Sequence, residues 1–146
     1  MLPFGNYLLV TSMGLKLLLV ENDHILMEMP LSAEAWPQDA LQRELNAFEE
    51  DFEKFTKLFD ALSHRTRLQM VKRLFEEDDS ALGFTDFSRE LGLNPKIVWQ
   101  NTKKLCEGGL MRKGEDGKYG FSETGRAQFL MVSLVLKNLC EMFESI

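Results

Sequence analysis

The sequence is poor in the residues that most reactive chemistries need. It has two cysteines, Cys106 and Cys140, and two histidines, His24 and His64. Two cysteines are too few for a disulfide-stapled secreted scaffold, and no CxxC pair is present to suggest zinc. No nucleophile with a partner base, no phosphate-cradling glycine loop and no catalytic carboxylate pair stands out, so no enzyme, no cofactor and no metal is expected. Long apolar runs are also missing. The opening MLPFGNYLLVTSMGLKLLLV is broken by Asn6, Thr11, Ser12 and Gly14, and its first basic residue, Lys16, follows most of the apolar stretch. That pattern fits neither a signal peptide nor a span of about 20 apolar residues. The expectation is a soluble, intracellular, cytoplasmic protein with no membrane partner. Internal repeats and low-complexity segments are absent.

What is present is a globular composition, with 45% hydrophobic and 27% charged residues in 146. The formal net charge of −6 argues, as an average, against binding a polyanion. The average hides a split. Residues 1–50 hold two basic and eight acidic side chains, whereas residues 51–146 hold fifteen of each. Within 89–126 there are eight basic and five acidic residues, a local net of +3. A modest basic patch on a neutral domain suits a dimeric reader of DNA better than a nonspecific coat, which would be basic throughout.

Residues 1–36 read as a β-strand extension. Tyr7–Thr11, Leu15–Val20 and His24–Met29 are rich in strand formers, and Asn22-Asp23 suits a two-residue turn. Leu15–Val20 is nearly all apolar, which suits a strand covered on both faces, with a short helix as the competing reading. Residues 37–146 read as one mainly helical domain. After Trp36-Pro37, Leu41, Leu45, Phe48, Phe52, Phe55, Phe59 and Leu62 recur at spacings of 4 and 3, the seam of one long helix. Ser63-His64 interrupts it, with His64 placed for loop packing or capping. A helix follows over about 65–77, and the acidic run Glu76-Glu77-Asp78-Asp79 reads as its solvated end. Phe129, Val132, Leu136, Leu139 and Phe143 form a second seam on a last helix, for which Ser122 is the expected cap.

Between the seams, Phe84–Leu110 reads as helix, tight turn, helix. Thr85 is placed to cap the first helix over about 86–91, and Gly92 sits in the turn. Asn94 and Pro95 start the second, which Gly108-Gly109 stop. Phe87, Leu91, Val98 and Leu105 would form the shared apolar face, with Ser88 small at the close approach. This is the spacing of a helix-turn-helix, whose second helix enters the major groove. Strand-like residues 110–113 and 118–121 flank Gly114-Glu115-Asp116-Gly117 and predict a hairpin beside it. Candidate DNA contacts are Lys96, Trp99, Gln100, Lys103 and Lys104 on the helix and Arg112, Lys113 and Lys118 on the hairpin. Cations neutralise phosphates, and amides and cations read base edges.

Four stretches carry a family resemblance: Phe59-Asp60-Ala61-Leu62-Ser63-His64-Arg65-Thr66-Arg67-Leu68, Leu91–Val98, Leu105–Leu110 and Tyr119–Arg126. Over about residues 51–146 the chain resembles the ArsR-like winged helix-turn-helix transcriptional regulators. The resemblance implies a mainly α fold with small β: a winged helix-turn-helix domain with long flanking helices, here extended by an N-terminal β-hairpin. It implies a repressor-like homodimer on double-stranded DNA, prokaryotic by analogy, with Asn94–Glu107 as recognition helix. It also implies dimerisation through the flanking helices, here Leu41, Leu45, Phe48, Phe52, Phe129, Val132, Leu136, Leu139 and Phe143. The chain departs from the family at Trp99, where a small polar residue is usual, and at Asn101, where histidine is common. The stretch 86–91, where metal-sensing members carry cysteines, reads Asp-Phe-Ser-Arg-Glu-Leu. A protein-interaction module on the same fold, without sequence-specific DNA readout, is the alternative suggested by the acidic first third and Trp99.

Overall fold

The computed structural model describes residues 14–77 and 81–145. The expected strand at Tyr7–Thr11 and part of the acidic run, Asp78-Asp79, lie outside them. The chain is mainly helical, with an N-terminal two-stranded hairpin and a small three-stranded antiparallel sheet. It forms two compact units, Met1–Phe52 and Glu53–Ile146. Among the described residues no helix is long and apolar enough to cross a membrane.

In the first unit, β1 (Lys16–Glu21) pairs antiparallel with β2 (His24–Pro30), from Lys16 opposite Pro30 to Glu21 opposite His24. Asn22 and Asp23 both have positive φ, 50° and 65°, as the expected two-residue turn requires. The Trp36 indole N–H donates to the Pro30 carbonyl at 3.1 Å and ties down the end of β2. The expected double cover of β1 is not seen. Leu18, Leu19 and Val20 are all exposed, because a two-stranded ribbon offers only one cross-strand neighbour to each side chain.

The first apolar seam does not run through a single helix. Helix α1 (Ala40–Glu50) ends at Asp51, and α2 (Phe52–Leu62) starts afresh. Charge accounts for the break. Glu49, Glu50 and Asp51 crowd the negative end of the α1 dipole, where no basic residue compensates them, whereas Glu53 sits favourably in the first turn of α2. Phe48 and Phe52 meet edge to face, their centroids 6.0 Å apart.

The second unit is built around α3 (Arg65–Glu76), α4 (Phe84–Leu91) and α5 (Pro95–Glu107). Met70, Val71 and Leu74 of α3, Phe87 of α4, and Val98 and Leu105 of α5 are fully buried together. Arg73 on α3 clamps α4 through Glu90 at 2.8 Å. Strand β4 (Met111–Lys113) pairs with β5 (Tyr119–Phe121), as the sequence predicts. A short strand that the sequence pattern does not reveal, β3 (Ala81–Leu82), pairs with the other edge of β5. The Phe121 ring packs 4.7 Å from Phe75, which in turn lies 5.4 Å from Phe129.

Two caps differ from expectation. Helix α4 begins two residues early, at Phe84, because Asp86 Oδ2 accepts from the Gly83 N–H and holds the first turn in place of Thr85. Ser122 does not cap the last helix. Its hydroxyl donates to the Gly109 carbonyl, and α6 (Gly125–Leu130) starts after Thr124. A π-helical turn over Met131–Val135 then leads into α7 (Leu136–Ser145). The wider turn rotates the second seam. Phe129 is buried and Val132 packs on the core, whereas Leu136 and Phe143 are exposed.

Gly125 is the tightest backbone approach in this unit. A Cβ there would meet the Leu110 carbonyl oxygen at 2.2 Å. Gly125→Ala should lower the urea-unfolding free energy by about 1–3 kcal/mol through overpacking. Thr124→Ala next to it, exposed and without a capping hydrogen bond, should stay within about 0.5 kcal/mol.

Candidate nucleic-acid interface

The turn between α4 and α5 is short and closed on both sides. Gly92 takes φ +64°, a left-handed conformation that a side chain would strain. The Leu93 N–H donates to the Ser88 carbonyl, and the Ser88 hydroxyl donates to the Leu93 carbonyl, so the small residue at the close approach locks the turn. Asn94 Oδ1 then accepts from the Ile97 N–H at 2.9 Å, and Pro95 opens α5.

Helix α5 presents two chemically distinct faces. Val98, Thr102 and Leu105 are buried, and the Thr102 hydroxyl is satisfied by the Val98 carbonyl at 2.9 Å. Lys96, Trp99, Gln100 and Lys103, at i, i+3, i+4 and i+7, are all exposed on one stripe. The Lys103 ammonium lies 5.2 Å from the centroid of the Trp99 ring, a cation–π contact. Trp99, Gln100 and Lys103 of that stripe line an open groove of about 520 Å³, which His64 and Thr66 at the start of α3 also line.

Beyond α5, Arg112, Lys113 and Lys118 are exposed on the β4–β5 hairpin. Lys113 lies 5.8 Å from the Tyr119 ring centroid. The hairpin turn is fixed by Gly117, at φ +81°, and by Asp116 Oδ1 accepting from the Lys118 N–H at 3.0 Å.

Of the eight candidate contacts, Lys104 alone has an ion-pair partner among the described residues. Its ammonium is 3.1 Å from Asp60 Oδ2. That hydrogen-bonded ammonium, with Arg67 as a second cation, holds the Asp60 carboxyl below its usual range. Lys104 therefore braces α5 against the end of α2, and the other cations make no such pair.

The residue that sequence reasoning missed is Arg67. It is only 9% exposed. Its Nε donates to the Ala61 carbonyl at 2.9 Å, one terminal nitrogen to the Asp60 carbonyl at 2.8 Å, and the other to Asn101 Oδ1 at 2.9 Å. Asn101 in turn donates to the Ile97 carbonyl at 2.8 Å and is buried; with Arg67 it lies at the base of the groove that Trp99, Gln100 and Lys103 line. The signal was present: Arg67 precedes Leu74 by seven residues, on the buried stripe of α3. His64 turns out to cap α3, with Nδ1 accepting from the Thr66 N–H.

Among the described residues no cluster of three or more histidine, cysteine or acidic side chains could hold a metal. Burial, reinforced by Glu107, pushes the Cys106 thiol up and so favours its neutral form. Of the proposed interface residues, Leu45, Phe48, Phe52, Leu136 and Phe143 are exposed, and Leu41 and Leu139 are half-buried. Phe129 is spent in the chain's own core. No known protein-family model matches the chain, and no curated protein matches it.

The Asp60–Lys104 pair has a pH signature. A lowered carboxyl contributes stability above its unfolded value, and that contribution is lost as pH falls through the folded midpoint. In an NMR titration of side-chain carboxyls, Asp60 should titrate below 3.8. Lys104→Ala should move that midpoint upward, and an unmoved midpoint would show the pair to be absent in solution.

Proposed function

We propose that the chain is a sequence-specific DNA-binding transcriptional regulator of the winged helix-turn-helix type. In this reading α4 and α5 are the helix-turn-helix, with α5 in the major groove, and the β4–β5 hairpin is the wing on the backbone or minor groove. The observation that carries it is the exposed stripe Lys96, Trp99, Gln100 and Lys103 on a helix whose opposite face is locked into the core. The cations of that stripe and of the wing have no acidic partners among the described residues, so they are available to phosphates and base edges. The resemblance to ArsR-like regulators points the same way.

Selection of bound fragments from genomic DNA tests the reading and returns the operator. On such a fragment, Lys103→Ala combined with Arg112→Ala should weaken binding. It should also flatten the slope of log affinity against log salt by about 2, close to one unit per lost phosphate contact. An unchanged slope would remove both side chains from the interface.

The regulator acts as a homodimer in this proposal. Exposed Leu45, Phe48 and Phe52 at the first seam, and Leu136, Met142 and Phe143 on α7, supply apolar surface for a second copy. Two-fold pairing would set two copies of α5 about 34 Å apart, one DNA turn. Sedimentation at micromolar concentration should give twice the 16.8 kDa chain mass, and Phe143→Asp should shift it toward the monomer. A monomeric wild-type protein would overturn the dimer.

A second reading, a protein-interaction module on the same scaffold, is favoured by the acidic first fifty residues and the exposed apolar side chains of β1 and β2. It predicts that no DNA fragment is retarded even at low salt.

A further inference from the structure

Trp99 is out of keeping with its surroundings. It is 56% exposed in the middle of a stripe of polar side chains, Lys96, Gln100 and Lys103. Among the described residues its indole N–H donates to no acceptor, although buried or bound tryptophans nearly always use that donor. Its one side-chain contact of note is with Lys103, whose ammonium stands 5.2 Å from the ring centroid. The cation takes up one face of the indole. Trp99 and Lys103 both line the groove that α5 shares with His64 and Thr66.

An exposed indole edge carries a hydrogen-bond donor beside apolar C–H groups. In the major groove, thymine alone presents the complement of that edge: the O4 acceptor beside an apolar C5-methyl. Cytosine offers only an amino donor, and adenine sets an amino donor and no methyl beside its N7 acceptor. Guanine offers two acceptors and no apolar group, a pattern matched by arginine or lysine. Position on the helix agrees with chemistry. Trp99 lies in the N-terminal half of α5, within one turn of Lys96 and Lys103, where a recognition helix meets base edges.

We infer that Trp99 is a specificity-determining residue that reads a thymine in the major groove, through its methyl group and O4. This rests on the DNA-binding reading of α5. Lys103 acts with it as a positioning residue, since its ammonium restricts the ring while remaining exposed to a nearby phosphate.

The test uses the full-length chain and a DNA fragment recovered by selection. Each thymine of one half-site is replaced singly by deoxyuridine, which removes the methyl and keeps O4. Affinities are measured by fluorescence anisotropy for the wild type and for Trp99→Ala. The wild type should show one position at which deoxyuridine weakens binding about fourfold, the worth of one buried methyl group. Trp99→Ala should bind more weakly and lose that penalty at the same position. Trp99→Gln, suited to an exposed helical site, serves as the second variant should the alanine form fail to fold. A wild type indifferent to every methyl, or a Trp99→Ala that keeps the full penalty, overturns the assignment and leaves DNA binding standing. Failure to bind any fragment at low salt overturns both.

Discussion

The second unit is organised by one buried guanidinium. Arg67 reaches from α3 to the last carbonyls of α2 and to the side chain of Asn101 on α5, so three helices share one planar hub. A charged group this buried is tolerated only when its donors are used, and here three separate acceptors take them. The hub also has a directional consequence. Asn101 bonds back to Ile97 within α5, so the guanidinium sets the rotation of α5 about its own axis. Whether Trp99 and Lys103 face outward depends on that rotation. Lys104 and Asp60 repeat the tie at the surface, where solvent weakens it.

The dependence runs from the hub to both sides of the domain. The rotation of α5 that puts Val98 and Leu105 into the core is the same rotation that exposes Lys96, Gln100 and Lys103. Packing and the exposed stripe are two readings of one angle. The hairpin of β4 and β5 follows α5 through Gly108 and Gly109, and the Ser122 hydroxyl returns to Gly109. That hairpin is thereby tethered to the end of the helix it follows. A substitution that loosened Arg67 would misplace the helix and the hairpin together without touching an exposed residue.

Much of this architecture was legible in the residues because the signals were local. The Asn22-Asp23 turn, the Asn94-Pro95 helix start, Gly92 and the hairpin glycines all specify backbone conformations within a few residues. What escaped was long-range or competitive. The two residues of β3 have no periodicity and exist only because β5 offers an edge. The apolar seam over 41–62 predicts one helix, and local dipole electrostatics at Glu49-Glu50-Asp51 overrule it. The seam over 129–143 is arithmetically regular, but a π-helical turn inserted within it sends its two halves to different surroundings. At the site, the exposed stripe of α5 follows from helical spacing alone. The roles of Arg67, Asn101 and Lys104 depend on partners far along the chain, which spacing does not reveal.

The stacking of Lys103 over Trp99 bears on the thermodynamics of any encounter. A free lysine side chain surrenders about 2 kcal/mol of rotamer freedom when it is immobilised. Here part of that ordering has already occurred within the unbound protein. Two flexible side chains present themselves as one semi-rigid element, so less disorder remains to be lost when a ligand arrives. Association at this spot should therefore carry a smaller entropic penalty than at Lys96, seven residues earlier on the same stripe, where no ring restrains the ammonium.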